Sequence, residues 1–403
     1  MPSDTAGERL RAVRDLMAAR GYSALFVPRA DEYLGEYIPE RNERLHWLTG
    51  FTGSAGMALV LPDRAAIFVD GRYTVQVRSQ VAGNHYEYCH LVDEPPERWV
   101  ADLVAAGARV ACDPRLHSLR WFNAARDTLA AADAQLVADA DNLIDRCWLD
   151  RPAAVVSEAL LLDVAFSGET SLEKRRRIGA QIAGSGCDAA LVFAPDSVSW
   201  LLNIRGTDMP QLPVLLSFAM LDASGDLALF VDPQRLPAGF EGHMGAGVTV
   251  LPEADAAGSL AAWEQRRVLA DPATASAWLQ LALEEAGAVL VAGDDPVLVP
   301  KACKNPVELA GTRRAHLRDG VAECRFLAWL DAEVQAQRWH DEAFLSDKLF
   351  TLRAQGEHFH ACSFDTISAA GSNAAMCHYN HLNAAPARLL PDSVYLVDSG
   401  GQY

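Results

Sequence analysis

The sequence predicts an α/β fold, α+β in the wider sense: two sister α/β domains followed by the first part of a third unit. Helical and strand-like apolar segments alternate through the first three hundred residues, and the same order of elements occurs there twice. From Lys304 the pattern changes to a long amphipathic helix followed by short strands and small-residue turns.

In the first copy a helix carries Leu10, Val13 and Met17 on one stripe and ends at Gly21. The strand Ala24 to Val27 stops at Pro28, Trp47, Leu48 and Gly50 follow, and an apolar strand then runs through Phe68, Val69 and Asp70. In the second copy a helix with Ile178 and Ile182 ends at Gly184 and Gly186, and the strand Ala190 to Phe193 stops near Pro195. Trp200 to Leu202 reads as a further strand before the one through Phe230, Val231 and Asp232. Between the copies, Leu149 to Ser157 breaks the periodicity and reads as a linker. The expected domains are therefore 1–155, 156–303 and 304–403, the last incomplete. The basic cluster Lys174 to Arg177 follows Thr170 and Glu173, which have capping-box spacing, and is expected on the wet face of its helix.

The third unit opens with Asn305 as a helix cap, Pro306 in the first helical position and Glu308 in the third. Leu317, Val321, Cys324 and Ala328 continue a stripe expected to pack, and a second helix is expected over Asp341 to Arg353. Ser363 to Tyr379 reads as a hairpin turning at Gly371, Ser372 and Asn373, with a second short strand arriving at His378. Finally Val394, Tyr395, Leu396 and Val397 read as a buried strand that delivers Asp398 into the turn Ser399, Gly400, Gly401. Such a placement points a carboxylate into a cavity or a metal site. Asp-Ser-Gly is also ordinary turn chemistry, so the residues alone leave a turn-forming Asp398 open.

Composition excludes several classes. With 403 residues, half of them apolar and 22% charged, the chain is globular and long enough for two or three cores. No apolar run approaches the roughly 18 residues that span a bilayer, so no membrane partner is expected. The first twenty residues hold Asp4, Glu8, Arg9, Arg11, Arg14 and Asp15 on a helical pattern rather than an apolar signal core, which makes a cytoplasmic location the expectation. A formal charge of −18 argues against a nucleic-acid partner. Eight cysteines lie scattered without a CxxC pair, which suits buried, reduced thiols.

Some features take a structural reading. His358 and His360 form an H-x-H pair without a carboxylate at ligand spacing, so packing or solvated histidines are expected. Gly50 to Gly56 lack the G-x-G start of a dinucleotide fingerprint and are expected to connect strands. Arg205 and Asp208 lie in a loop, where a salt bridge and a position facing the third unit are equally open.

The strings GSNAAMCHY (371–379) and YLVDSGGQY (395–403) together resemble the catalytic domain of the creatinase and aminopeptidase P group of pita-bread metallopeptidases. GFTGSAG, VDGRY, DNLIDRCWLDRP, LLNIRGTDMPQLPVLLSF and KNPVELAGTRRAHLRDG are similar, in the same order, to the long three-domain cytosolic Xaa-Pro aminopeptidases. The resemblance runs from about residue 8 to Tyr403. It implies two creatinase-like N-terminal domains and a pita-bread domain holding two divalent ions, usually manganese, with zinc and cobalt also compatible. The family's ligands are two Asp, one His and two Glu. Asp398 matches the first Asp, and the others are expected beyond Tyr403. His378 matches the family histidine that contacts substrate beside the metals and stabilises the tetrahedral intermediate.

The implied reaction is release of the N-terminal residue from a peptide whose second residue is proline, by attack of a metal-bridging hydroxide. Hard divalent ions suit carboxylate oxygens, and two of them can activate water and polarise a carbonyl. A bond preceding proline has no N–H, so a peptidase that grips that donor cannot read it. A donor such as His378 beside the oxyanion adds stabilisation of about 3 kcal/mol. The family also implies a homodimer when complete, while these 403 residues alone are expected to be inactive. Two other readings stay open: a non-catalytic pita-bread relative that binds peptides or proteins, and creatinase-type hydrolysis of a small amidino compound. The retained His378 and Asp398 speak against the first, and the extra N-terminal copy against the second.

Overall fold

A computed structural model describes residues 5–154, 156–383 and 385–403. Asp4 and Val155, at the start of the first helical pattern and at the first expected boundary, lie outside the described residues. Backbone proximity divides the chain into two units: one takes in the chain up to Leu162, Glu169–Met209 and Val214–Cys303, the other Asp163–Gly168, Pro210–Pro213 and Lys304–Tyr403.

The first unit contains two six-stranded sheets. β1 (Ala24–Pro28), β2 (Met57–Val60), β3 (Ala65–Val69), β4 (Glu87–His90), β5 (Arg109–Cys112) and β6 (Gln135–Ala138) lie in the order β4-β3-β2-β1-β5-β6. The β1–β2 and β2–β3 pairs are antiparallel, whereas β1–β5, β3–β4 and β5–β6 are parallel. Leu25, Val27 and Ile67 pack on one face with Leu10, Val13 and Met17 of the helix Thr5–Arg20. Phe26, Leu59 and Phe68 pack on the other with Phe122 and Leu129 of the helix Leu119–Ala131. Both faces are covered, which is why these strands read as unbroken apolar runs.

The remaining strands of this unit are β7 (Leu160–Leu161), β8 (Ala189–Val192), β9 (Ile204–Arg205), β10 (Phe218–Asp222), β11 (Leu227–Phe230), β12 (Val248–Leu251), β13 (Arg267–Ala270) and β14 (Val289–Ala292). β7 and β9 pair with each other, and the rest form the sheet β12-β11-β10-β8-β13-β14. Its order and strand senses repeat those of the first sheet. The repeats meet at Ser118 and Ser276, each the N-cap of the corresponding helix of its copy, in an isolated antiparallel bridge. There the Ala277 N–H donates to the His117 carbonyl and the Arg120 N–H to that of Pro272, both at 2.8 Å.

Two expectations for this unit, and one for the cysteines of both units, are corrected. Trp200 to Leu202 is not a strand but the end of the helix Pro195–Leu202, which Pro195 starts in the first helical position and Asn203 stops in the left-handed region. The basic cluster is only half solvated. Arg176 and Arg177 face water, but Lys174 and Arg175 are buried. Lys174 Nζ donates to the Trp200 carbonyl (2.9 Å) and Asn203 Oδ1 (2.8 Å) and sits 3.9 Å from the centre of the Trp200 ring. Arg175 donates to the carbonyls of Gly225 (2.6 Å), Met244 (2.8 Å) and Ala246 (2.9 Å). Carbonyls at helix ends and in loops thus draw in two cations that a helical wheel assigns to solvent. The thiols are unpaired, yet Cys303, Cys324 and Cys377 are exposed rather than buried. Among the described residues no helix is long and apolar enough to cross a membrane.

The second unit is built on the helix Pro306–Gln335, which Asn305 caps as expected, and Glu308 closes a capping box with it. The packing stripe lies elsewhere than the sequence suggested. Leu317 and Val321 are 70% and 52% exposed, and Cys324 is exposed, while Ala322 and Phe326 face the core with Leu345, Leu349 and Leu352 of the helix Glu342–Ala354. Over thirty residues an apolar pattern supports more than one stripe, and the contact with the second helix selects this one. β15 (Ala361–Cys362) pairs with β18 (Gly401–Gln402), and β16 (Ile367–Ala370) pairs antiparallel with β17 (Tyr395–Asp398).

Candidate active site

Asp398 is the last residue of β17 and lies opposite Ile367. The strand is not buried as expected: Val394 and Leu396 are 67% and 39% exposed, and only Tyr395 and Val397 turn toward the core. Only one face of the strand is packed, so alternate residues remain open.

The turn after Asp398 is held from both sides. The Ser363 N–H donates to the Gly400 carbonyl (3.0 Å) and the His360 N–H to that of Gln402 (2.8 Å). A Cβ on Gly400 would come within 2.4 Å of Ser363 Oγ, so glycine permits this approach. Tyr403 Oη then donates to Asp319 Oδ1 (2.8 Å), and the same carboxylate receives Arg353 Nε (2.8 Å) and Nη2 (3.0 Å). Burial opposes ionisation of Asp319, but the Arg353 and Tyr403 donors outweigh it and hold its carboxyl below the usual range. Burial, reinforced by Asp319, pushes the Tyr403 hydroxyl up to about 12. Asp398 therefore sits on a backbone fixed before and after it, as a metal ligand requires.

His378 is reached differently from the expected hairpin. β16 is followed not by a returning strand but by a 3-10 turn, Gly371–Ala375, entered through Gly371 at φ +59°. The strand that does return to β16 is β17, and the Gly371 N–H donates to the Val394 carbonyl (2.8 Å). His378 itself lies in a turn at φ +56° and is exposed. A histidine in this sparsely occupied region must be held by its neighbours.

Those neighbours converge on a residue the sequence reading did not single out. Glu342, the first residue of its helix, is fully buried. Its Oε1 accepts from the Ala370 N–H (2.7 Å) and Asn373 Nδ2 (2.9 Å), and its Oε2 from Tyr379 Oη (2.8 Å) and the Ala387 N–H (2.8 Å). Burial resists ionisation of Glu342, but these donors prevail and keep its carboxyl below the ordinary range. Burial, then the Glu342 carboxylate, pushes Tyr379 up to about 12. Only the start of a helix marked Glu342 in sequence; its partners lie 28 to 45 residues downstream.

The remaining candidates keep structural roles. Asp208 is buried and ion-paired with Arg235, and it also accepts from Ser157 Oγ (2.6 Å) and the Leu216 N–H (2.7 Å). Arg205 donates to the Ile204 carbonyl (2.8 Å). His358 and His360 are exposed. Among the described residues no three His, Cys, Asp or Glu side chains come together in a way that could hold a metal, so Asp398 stands as a single candidate ligand.

Comparison with known proteins gives this arrangement its family. Residues 9–147 and 150–308 each match the creatinase/prolidase N-terminal domain, and residues 310–403 match metallopeptidase family M24. The chain is 33% identical over 420 residues to a probable Xaa-Pro aminopeptidase P of Paracoccidioides brasiliensis, covering 100% of this chain and 68% of that protein. It is also 33% identical to an Xaa-Pro aminopeptidase of Drosophila melanogaster, covering 95% and 63%. A crystal structure of X-prolyl aminopeptidase from Caenorhabditis elegans, described as a cytosolic enzyme with a di-nuclear active site, superposes with a TM-score of 0.92 at 29% identity over 99% of this chain and 68% of that one. With two creatinase-type repeats and an M24 match in order, this chain belongs to the Xaa-Pro aminopeptidase P family of M24 metallopeptidases.

Proposed function

We propose that the protein is an Xaa-Pro aminopeptidase, which removes the N-terminal residue from peptides with proline in second place. The observation that carries this reading is similarity along the whole chain to enzymes of that name, joined to a fixed Asp398 and a restrained His378 in the unit that matches the metallopeptidase family. We assign residues 1–155, 156–303 and 304–403 to two creatinase-like domains and a pita-bread domain.

Asp398 has the chemistry of a hard-cation ligand, and we propose it as one of several side chains holding two divalent ions, manganese before zinc or cobalt. The described residues alone do not fit such a centre, because no three candidate donors converge among them. The other ligands are proposed beyond Tyr403, consistent with a matched span that covers 68% of those relatives. His378 is proposed to donate to the oxyanion that develops on the scissile carbonyl, where one preorganised donor lowers the barrier by about 3 kcal/mol. The substrate partner is a peptide; the charge of −18 disfavours nucleic acid. A cytoplasmic homodimer completes the proposal.

The test is release of the first amino acid from a matched pair of peptides, Xaa-Pro and Xaa-Ala at the N-terminus. The active enzyme should release it from the proline peptide only. Equal release from both would overturn the assignment, and no release from either with tight peptide binding would favour a non-catalytic binding module. A polypeptide of these 403 residues alone should bind no pair of manganese ions and turn over neither peptide.

A further inference from the structure

We propose that Glu342 is a positioning residue for His378, acting through Tyr379 and the 370–387 segment. This rests on the peptidase reading only for its catalytic consequence; the clamp itself is a property of the fold.

Four donors reach one buried carboxylate from four places along the chain. Ala370 closes β16, Asn373 lies in the 3-10 turn, Tyr379 follows His378 directly, and Ala387 belongs to the segment leading to β17. The helix start is tied down as well. The Glu342 N–H donates to the Ala387 carbonyl (3.0 Å), and Ser368 Oγ donates to the Glu342 carbonyl (2.7 Å). Asn373 Nδ2 also reaches Tyr379 Oη at 3.0 Å, so the residues flanking His378 are linked to each other as well as to Glu342.

A four-acceptor position is specific to a carboxylate. Each Glu342 oxygen faces one backbone N–H, and neither N–H can reverse its role. A glutamine must therefore aim its amide N–H₂ at one of the two, leaving a buried backbone donor unsatisfied. Tyr379→Phe removes a single donor and leaves the other three in place. The two substitutions thus grade the same clamp without emptying the core.

The test uses the 403-residue protein first. Glu342→Gln should accelerate amide exchange at Ala370, Ala387 and residues 371–383 by tenfold or more, while β1 to β14 exchange as before. Tyr379→Phe should do so severalfold, over 371–383 only. In both variants the His378 imidazole resonances should shift or broaden while those of His46 and His243, in the first unit, stay fixed. In the active enzyme Glu342→Gln should lower kcat at least tenfold with KM changed less than threefold, and adding Tyr379→Phe should lower it little further. Unchanged exchange around 370–387, or exchange accelerated equally throughout the protein, would overturn the clamp. Local loosening with unaltered His378 resonances would overturn its link to His378. Loosening with the His378 change but no effect on kcat would uphold the clamp and count against His378 as the oxyanion donor in the peptidase reading.

Discussion

The two repeats and the residues after Lys304 solve the same problem in different ways. Each repeat sandwiches a six-stranded sheet between apolar layers, so Phe68, Leu59 and Val110 in one and Leu229, Ala219 and Leu191 in the other are almost wholly removed from water. The second unit has a single modest core around Phe326 and Leu349 and leaves Leu317, Leu327 and Val394 more than half exposed. Its order depends on hydrogen-bonded carboxylates: the buried Glu342 with four donors, and the half-buried Asp319 with Arg353 and Tyr403. Apolar layers tolerate exchange of similar side chains, whereas a hydrogen-bonded carboxylate fixes particular atoms. Precision therefore lies in the unit that carries the candidate chemistry, and bulk stability in the repeats.

That contrast can be broken by substitution. Phe68→Ala, in the first sheet, should cost about 3–5 kcal/mol of stability in denaturant titration without altering the exchange pattern of 370–387. A coupled loss in both would contradict the division of labour. His378→Ala should do the reverse, lowering kcat by a factor on the order of 10² to 10³, about 3 to 4 kcal/mol, with no change in the thermal transition.

A pH effect should belong to the repeats. His117 lies buried at the seam between them, stacked on Trp121 at 3.8 Å with Nε2 lacking a hydrogen-bond partner, and burial pushes its pKa down to about 3. The unfolded chain then binds a proton that the folded one refuses. Stability from this group is present above the unfolded value of about 6.5 and falls between there and about 3, by up to about 1.4 kcal/mol per pH unit. His117→Phe should flatten that part of the pH–stability curve; an unchanged slope would remove His117 as the cause. The smallest expected effect is Asn305→Ala, which deletes the cap of the long helix and should cost about 1 kcal/mol, read as faster exchange in its first turn.

How much the sequence revealed follows the same line. The sheets were legible because doubly covered strands are continuous apolar runs, and the Thr170 capping box and the Asn305 cap were legible because such signals span four residues. Long-range satisfaction of polar groups was not. Lys174 and Arg175 point inward because helix-end and loop carbonyls some 26 to 71 residues away accept from them. Glu342 escaped notice for the same reason. Asp398 and His378 stand out as candidates through their motifs, but the hairpin expected around His378 is not formed: pairing of β16 with β17 across an intervening turn and loop leaves no local period.

The central claim is that Asp398 serves a metal centre on a scaffold whose folding does not depend on it. Asp398→Ala in the active enzyme should abolish manganese-dependent release of the residue before proline while circular dichroism and the thermal transition of the repeats stay as in the parent. Undiminished turnover, with stoichiometric manganese still bound, would contradict it.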